Sequence, residues 1–108
     1  MRICKIFFII LLFSFSLTTA LKADSEKMVL GLEIFNNKAM CSVCHVLKAA
    51  GSTGDIGPDL DSLKPSEEQV RDVVVEGLGV MPAFGEEGLL TSEEIDAVSY
   101  YVAHSSGK

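Results

Sequence analysis

Between residues 41 and 45 the chain reads Cys-Ser-Val-Cys-His, and this C-x-x-C-H run limits the possible folds more than any other stretch of its 108 residues. Two thiols three positions apart can add to the two vinyl groups of one haem, and the adjoining imidazole then sits under the iron. Thiol redox sites and zinc knuckles share the C-x-x-C spacing. The first requires a βαβ context, however, and structural zinc requires two further ligands. The only other cysteine is Cys4, at the extreme N-terminus, and the only other histidine is His104, near the C-terminus. The run therefore assigns Cys41 and Cys44 to the thioether bonds of one covalent haem c and His45 to the proximal side of its iron.

Haem is attached to such a run outside the cytoplasm, so the chain is expected to carry an export signal. Arg2 and Lys5 form a short positive region, Ile6 to Leu17 is an almost unbroken apolar run, and Thr18-Thr19-Ala20 or Leu21-Lys22-Ala23 offers a small-residue cleavage site. Residues 1–23 are read as a signal peptide cut after Ala20 or Ala23, and residues 24–108 as the functional domain. The competing reading is an uncleaved anchor, but the apolar run falls short of the roughly 20 residues that span a bilayer as a helix. The expected location is periplasmic, or membrane-anchored if the leader is retained. Cys4 precedes the apolar run and belongs to the leader.

Three of the nine basic residues lie in the leader and all fifteen acidic residues lie beyond it. The mature domain thus keeps six against fifteen, a net charge of −9 at pH 7 with neutral histidines. That balance fits redox protein partners with basic docking surfaces and not nucleic acid. A single domain of this length buries little apolar area, so a covalent haem would be a folding element as well as a cofactor. A monomer is expected, with no membrane span once the leader is removed.

Apolar spacing and loop signals together predict an all-α fold of about four short helices, with no strand pattern. Asp24 and Ser25 can cap a first helix carrying Val29, Leu30, Leu32, Ile34 and Phe35, ending near Asn36-Asn37. A second is expected from the haem run to about Ala50, followed by loop through Gly57-Pro58 to Leu63. Ser66 with Gln69 announces a third helix, closed by Gly77 and Gly79, and Thr91 with Glu94 announces a fourth, ending among Ser105, Ser106 and Gly107.

A six-coordinate iron needs a second axial ligand, and a downstream thioether is the usual candidate. Met1 lies in the leader, Met28 in the first helix, and Met40 adjoins Cys41, which leaves Met81 in the loop Gly77-Leu78-Gly79-Val80-Met81-Pro82-Ala83-Phe84-Gly85. The alternatives are that Met81 is an ordinary core residue, or that His104 is the ligand in its place. The candidate iron ligands are thus His45 and Met81.

The order of these elements resembles that of the class I c-type cytochromes over essentially the whole mature chain. The helix with Gly31 and Phe35, the Cys41-to-His45 run, Gly57-Pro58-Asp59-Leu60, Met81-Pro82-Ala83-Phe84-Gly85 and a last helix with Tyr100-Tyr101 follow in the family's sequence. The resemblance implies a class I cytochrome c fold, a few short helices wrapped around one covalently bound haem. It also implies that the Pro58 carbonyl accepts the Nδ1 proton of His45, and that Gly31 lets the first and last helices cross with Phe35 against Tyr100 or Tyr101. Two features depart from the family. Five residues, not three, separate Phe35 from Cys41, which suggests a bulge or broken turn at Asn36-Asn37, and the chain has no tryptophan to bond a propionate.

The function that follows is one-electron transfer without conversion of a substrate, so the protein is not expected to be an enzyme. Leu60, Val80, Ala83 and Phe84 are expected to line the haem. The alternatives are a dedicated cytochrome subunit of a periplasmic dehydrogenase and a ligand-binding or peroxidatic haem protein, the latter disfavoured by Met81. Glu67-Glu68 and Glu93-Glu94 sit where carboxylates complement helix dipoles, and Asp55, Asp59 and Asp61 are read as solvated loop residues.

Overall fold

The computed structural model describes residues 19–108. The positive region, the apolar run and Cys4 of the expected leader lie outside them. Helix α1 occupies residues 19–33, passing through both candidate cleavage alanines, and continues into one π-helical turn at Ile34–Lys38. Helices α2 (Leu60–Leu63), α3 (Glu67–Glu76) and α4 (Ser92–Ser105) follow. The chain is thus mainly helical, as its patterning predicts.

The organising contact is the crossing of α1 and α4 at Gly31, which is buried. A Cβ at Gly31 would stand 2.4 Å from both the Ala97 carbonyl oxygen and Tyr101 Cβ, so only a hydrogen at that position permits this approach. One turn further on, the Phe35 and Tyr101 rings meet in a tilted pair with centroids 6.1 Å apart. Met28, Leu30, Ile34 and Phe35 face the core from the first helical segment, whereas Val29 and Leu32 of the same apolar stretch are exposed. Leu47, Leu60, Val74, Leu90, Ile95, Val98 and Val102 complete the core from the other elements.

The π turn accounts for the long Phe35-to-Cys41 spacing. The Ala39 amide bonds to the Ile34 carbonyl at 2.9 Å, closing a wider ring that absorbs an extra residue without ending the helical path. Beyond it the structure corrects two expectations. The segment from the haem run to Ala50 is not a helix: 3₁₀ turns at Cys41–Val43 and Lys48–Ala50 flank β1 (Val46–Leu47), which pairs antiparallel with β2 (Ser52–Thr53). The hairpin closes through Gly51, whose φ of 71° suits glycine, and through Ser52 Oγ, which accepts from the Leu47 amide at 3.0 Å. Residues 60–63, expected as loop, form α2 because the Asp59 carboxylate accepts from the amides of Asp61 and Ser62.

Both predicted capping boxes are present. Ser66 and Gln69 bond reciprocally at the start of α3, and Thr91 and Glu94 at the start of α4. Arg71 of α3 donates to Glu67 of its own helix and to Asp96 of α4. Glu94 also accepts from Lys38, tying the π turn to α4.

Substituting Gly31→Ala is expected to lower stability by about 1–3 kcal/mol through overpacking at the crossing, measured by denaturant unfolding. The Lys38 ammonium and the Thr91 amide hold the Glu94 carboxyl below its ordinary value. Its folded-state value is therefore lower than its unfolded one, so the stabilisation is complete above the ordinary carboxylate range and is lost as pH falls through the folded value. Glu94→Gln should cost about 0.5 kcal/mol at pH 7, as an exposed ion pair does. Thermal melts of variant and wild type should converge as the pH falls below the folded-state value of Glu94.

Candidate functional site

The C-x-x-C-H run is a tight corner whose backbone is held from within. Met40 enters it in the left-handed conformation, φ 55° and ψ 38°, an unusual position for a residue with a side chain. The amides of Cys44 and His45 then both bond to the Cys41 carbonyl, at 3.1 and 3.0 Å. This places Cys41, Cys44 and His45 on one turn, each half-buried. Burial at the edge of the core pushes the Cys41 thiol up to about 11, with a smaller push from Cys44 working in the same direction.

His45 is held by the second loop. Its Nδ1 lies 2.8 Å from the Pro58 carbonyl oxygen, and because a carbonyl can only accept, the ring proton resides on Nδ1 and donates to it. Nε2 is then the nitrogen with a free lone pair. Gly57 makes this approach possible: a Cβ there would stand 2.6 Å from His45 Cε1 and 2.9 Å from Nδ1. Gly54 plays the same part beneath the corner, where a Cβ would meet the Val43 oxygen at 2.5 Å. The Gly57 amide bonds to the Cys44 carbonyl at 2.7 Å and locks the two loops together.

Met81 stands on a separate loop beyond α3. Leu78 and Met81 exchange backbone hydrogen bonds, and Gly77, at φ 73°, turns the chain out of α3 where a Cβ would stand 2.8 Å from the Met81 oxygen. The loop returns along α3, with the Gly85 and Glu86 amides bonded to the Val74 and Val75 carbonyls. The Met81 side chain is half-buried and packs at the edge of the same core that Cys41 borders. Of the expected lining residues, Leu60 is in the core, Phe84 packs against it, Ala83 is half-buried, and Val80 sits at the tip of the tight turn beside Met81. His104, the rival ligand, is exposed at the end of α4, stacked on Tyr100 at 3.9 Å with its Nδ1 on the Tyr100 carbonyl.

Two residues read from sequence as solvated are structural. Asp59 caps α2, and the Asp61 carboxylate accepts from the amides of Lys48 and Gly107, both at 2.8 Å. The D-x-D spacing before Leu63 was the available sign of a cap, but nothing local could reveal the Gly107 contact, 46 residues away.

These groups suit a covalent haem on their own chemistry: two thiols and an imidazole on one turn, the imidazole proton fixed away from Nε2, and a glycine where a side chain would collide with the ring. Comparison with known proteins agrees. A family model described as cytochrome c oxidase, cbb3-type, subunit III matches residues 27–102. Among solved structures, the c-type cytochrome SorU from Sinorhizobium meliloti is similar, with 44% sequence identity and a TM-score of 0.72, over 78% of this chain and 95% of that one. No curated protein sequence matches the chain. The helical order, the C-x-x-C-H corner and these likenesses together show that the chain belongs to this c-type cytochrome family and has the fold of a small class I cytochrome c.

Proposed function

We propose that the protein is an exported one-electron carrier in which Cys41 and Cys44 hold a haem c and His45 and Met81 are its axial ligands. The observation that carries this reading is the His45–Pro58 hydrogen bond at 2.8 Å, which commits one ring nitrogen to the protein and leaves Nε2 for a metal. When bound, the haem supplies a one-electron couple. The chain's own part is rigidity. The Pro58 carbonyl fixes the His45 tautomer and raises its basicity, the Cys41-to-His45 corner holds both sulfurs and the imidazole on one backbone unit, and Gly77 with the Leu78–Met81 exchange restrains the thioether loop. With a thioether and an imidazole as its ligands, the haem iron would favour the reduced state.

Export to the periplasm and removal of residues 1–23 belong to the same reading and rest on the sequence pattern. Among the described residues no helix is long and apolar enough to cross a membrane. The acidic balance supports partners with basic docking faces, whose encounter it would steer. A second reading is favoured by the family description itself, which names an oxidase subunit. In it the chain is the dedicated electron-transfer subunit of a larger redox enzyme, and co-purification from the native source separates the two.

The test is the optical spectrum of the holoprotein, oxidised and reduced, beside that of Met81→Ala. The wild type should show the methionine-to-ferric charge-transfer band and no reaction of the reduced form with carbon monoxide. The variant should lose the band and bind carbon monoxide. A wild type that is high-spin or binds carbon monoxide would replace the carrier with a ligand-binding haem protein. Gly57→Ala should force the His45 ring or its loop aside, with a loss of about 1–3 kcal/mol in stability of the holoprotein by denaturant unfolding.

A further inference from the structure

The loop that presents Pro58 to His45 ends in a junction of three distant chain segments. Asp59 begins α2 by accepting two amides of its own first turn, so Pro58 leads directly into a hydrogen-bonded turn. That turn is attached elsewhere through Asp61. One of its carboxylate oxygens accepts from the Lys48 amide, three residues beyond His45 on the proximal segment. The other accepts from the Gly107 amide at the C-terminus. Both contacts are 2.8 Å, the length of charge-assisted hydrogen bonds. The tail is itself anchored: Ser105 and Ser106 are buried, Ser106 Oγ donates to the Val102 carbonyl, and a Cβ on Gly107 would strike the Lys64 side chain that lies over it. The two backbone amides draw the Asp61 carboxyl below its ordinary value.

We infer that Asp61 is a positioning residue for the proximal ligand, clamping α2 between the Lys48 turn and the Gly107 tail and thereby setting how tightly the Pro58 carbonyl holds the His45 Nδ1 proton. The inference rests on the proposed ligation by His45 and extends it to the potential of the couple. A strong Nδ1–H···O bond makes the imidazole more basic and favours the oxidised metal, so releasing the clamp lets Pro58 retreat and shifts the couple toward the reduced state. The two oxygens of one carboxylate explain why Asp61 suits this place: each accepts from an amide of a different segment.

The test uses the intact holoprotein and the variants Asp61→Asn, Asp61→Ala, a truncation after Ser106 that removes the Gly107 donor while leaving Asp61 in place, and Asp55→Asn as a charge control. Asp55 is exposed in the same loop. The visible spectrum of the wild type first establishes His45 ligation, and its failure would overturn the proposed function and this inference together. Given that ligation, two quantities are read: the oxidised-to-reduced equilibrium constant, by redox titration, and solvent exchange of the His45 Nδ1 proton in the reduced protein, by NMR. Asp61→Ala is expected to favour the reduced form by about threefold and to speed exchange of that proton by about tenfold. The truncation should move both in the same direction by less, and Asp61→Asn, which keeps one acceptor, should lie between Asp61→Ala and wild type. If Asp61→Ala and the truncation change stability but leave Nδ1 exchange at the wild-type rate, and the potential of Asp61→Ala matches that of Asp55→Asn, the residue only braces the tail and the inference is wrong.

Discussion

The crossing of α1 and α4 over Gly31 is the constraint on which the rest of the molecule depends. Two helices can approach this closely only where one of them lacks a side chain, and here the missing Cβ would overlap both the Ala97 carbonyl oxygen and Tyr101 Cβ. Close approach brings Phe35 against Tyr101 and makes Ile34, Val98 and Val102 neighbours in one core. A chain this short has no second core to fall back on. Three further parts of the chain are positioned by how they meet this helix pair: α3 through Arg71 and Val74, the π turn through Lys38 and Glu94, the tail through Ser106.

The candidate site hangs on that frame as two loops with little regular structure of their own. Their order comes from glycines and backbone hydrogen bonds. Gly54 and Gly57 let the second loop lie against the C-x-x-C-H corner, and Gly77 folds the Met81 loop back on α3. In each case the absence of a side chain permits a contact at van der Waals distance, which the flanking amides then secure. Rigid presentation of ligands from loops suits electron transfer, in which the ligand set must change little between oxidation states.

Much of this was legible in the linear chain. The capping boxes at Ser66/Gln69 and Thr91/Glu94 are local patterns whose physics is complete within four residues, and both helices begin where those patterns lie. The extra spacing before Cys41 signalled an irregular turn, found as the π turn at Ile34–Lys38. Reading failed where the deciding contact was remote or weakly patterned. The β1–β2 pair is two residues a side, too short for any alternation to register, and it exists because Gly51 and Ser52 close it. Asp61 looked like one more solvated acid in a strongly acidic chain.

By itself the sequence determined the family's motif order and the starts of α3 and α4, because a C-x-x-C-H run and a capping box act through residues at fixed short spacings. The order of the motifs also pointed, by resemblance, to Gly31 at the helix crossing and to the Pro58 carbonyl at the His45 ring proton, but the close fit of those contacts, and the carboxylate that joins residues 48, 61 and 107, were decided only by the tertiary structure. The physical reason is distance along the chain: these contacts join segments 13 to 70 positions apart, and their partners are mostly backbone groups, which every residue carries and no sequence pattern marks.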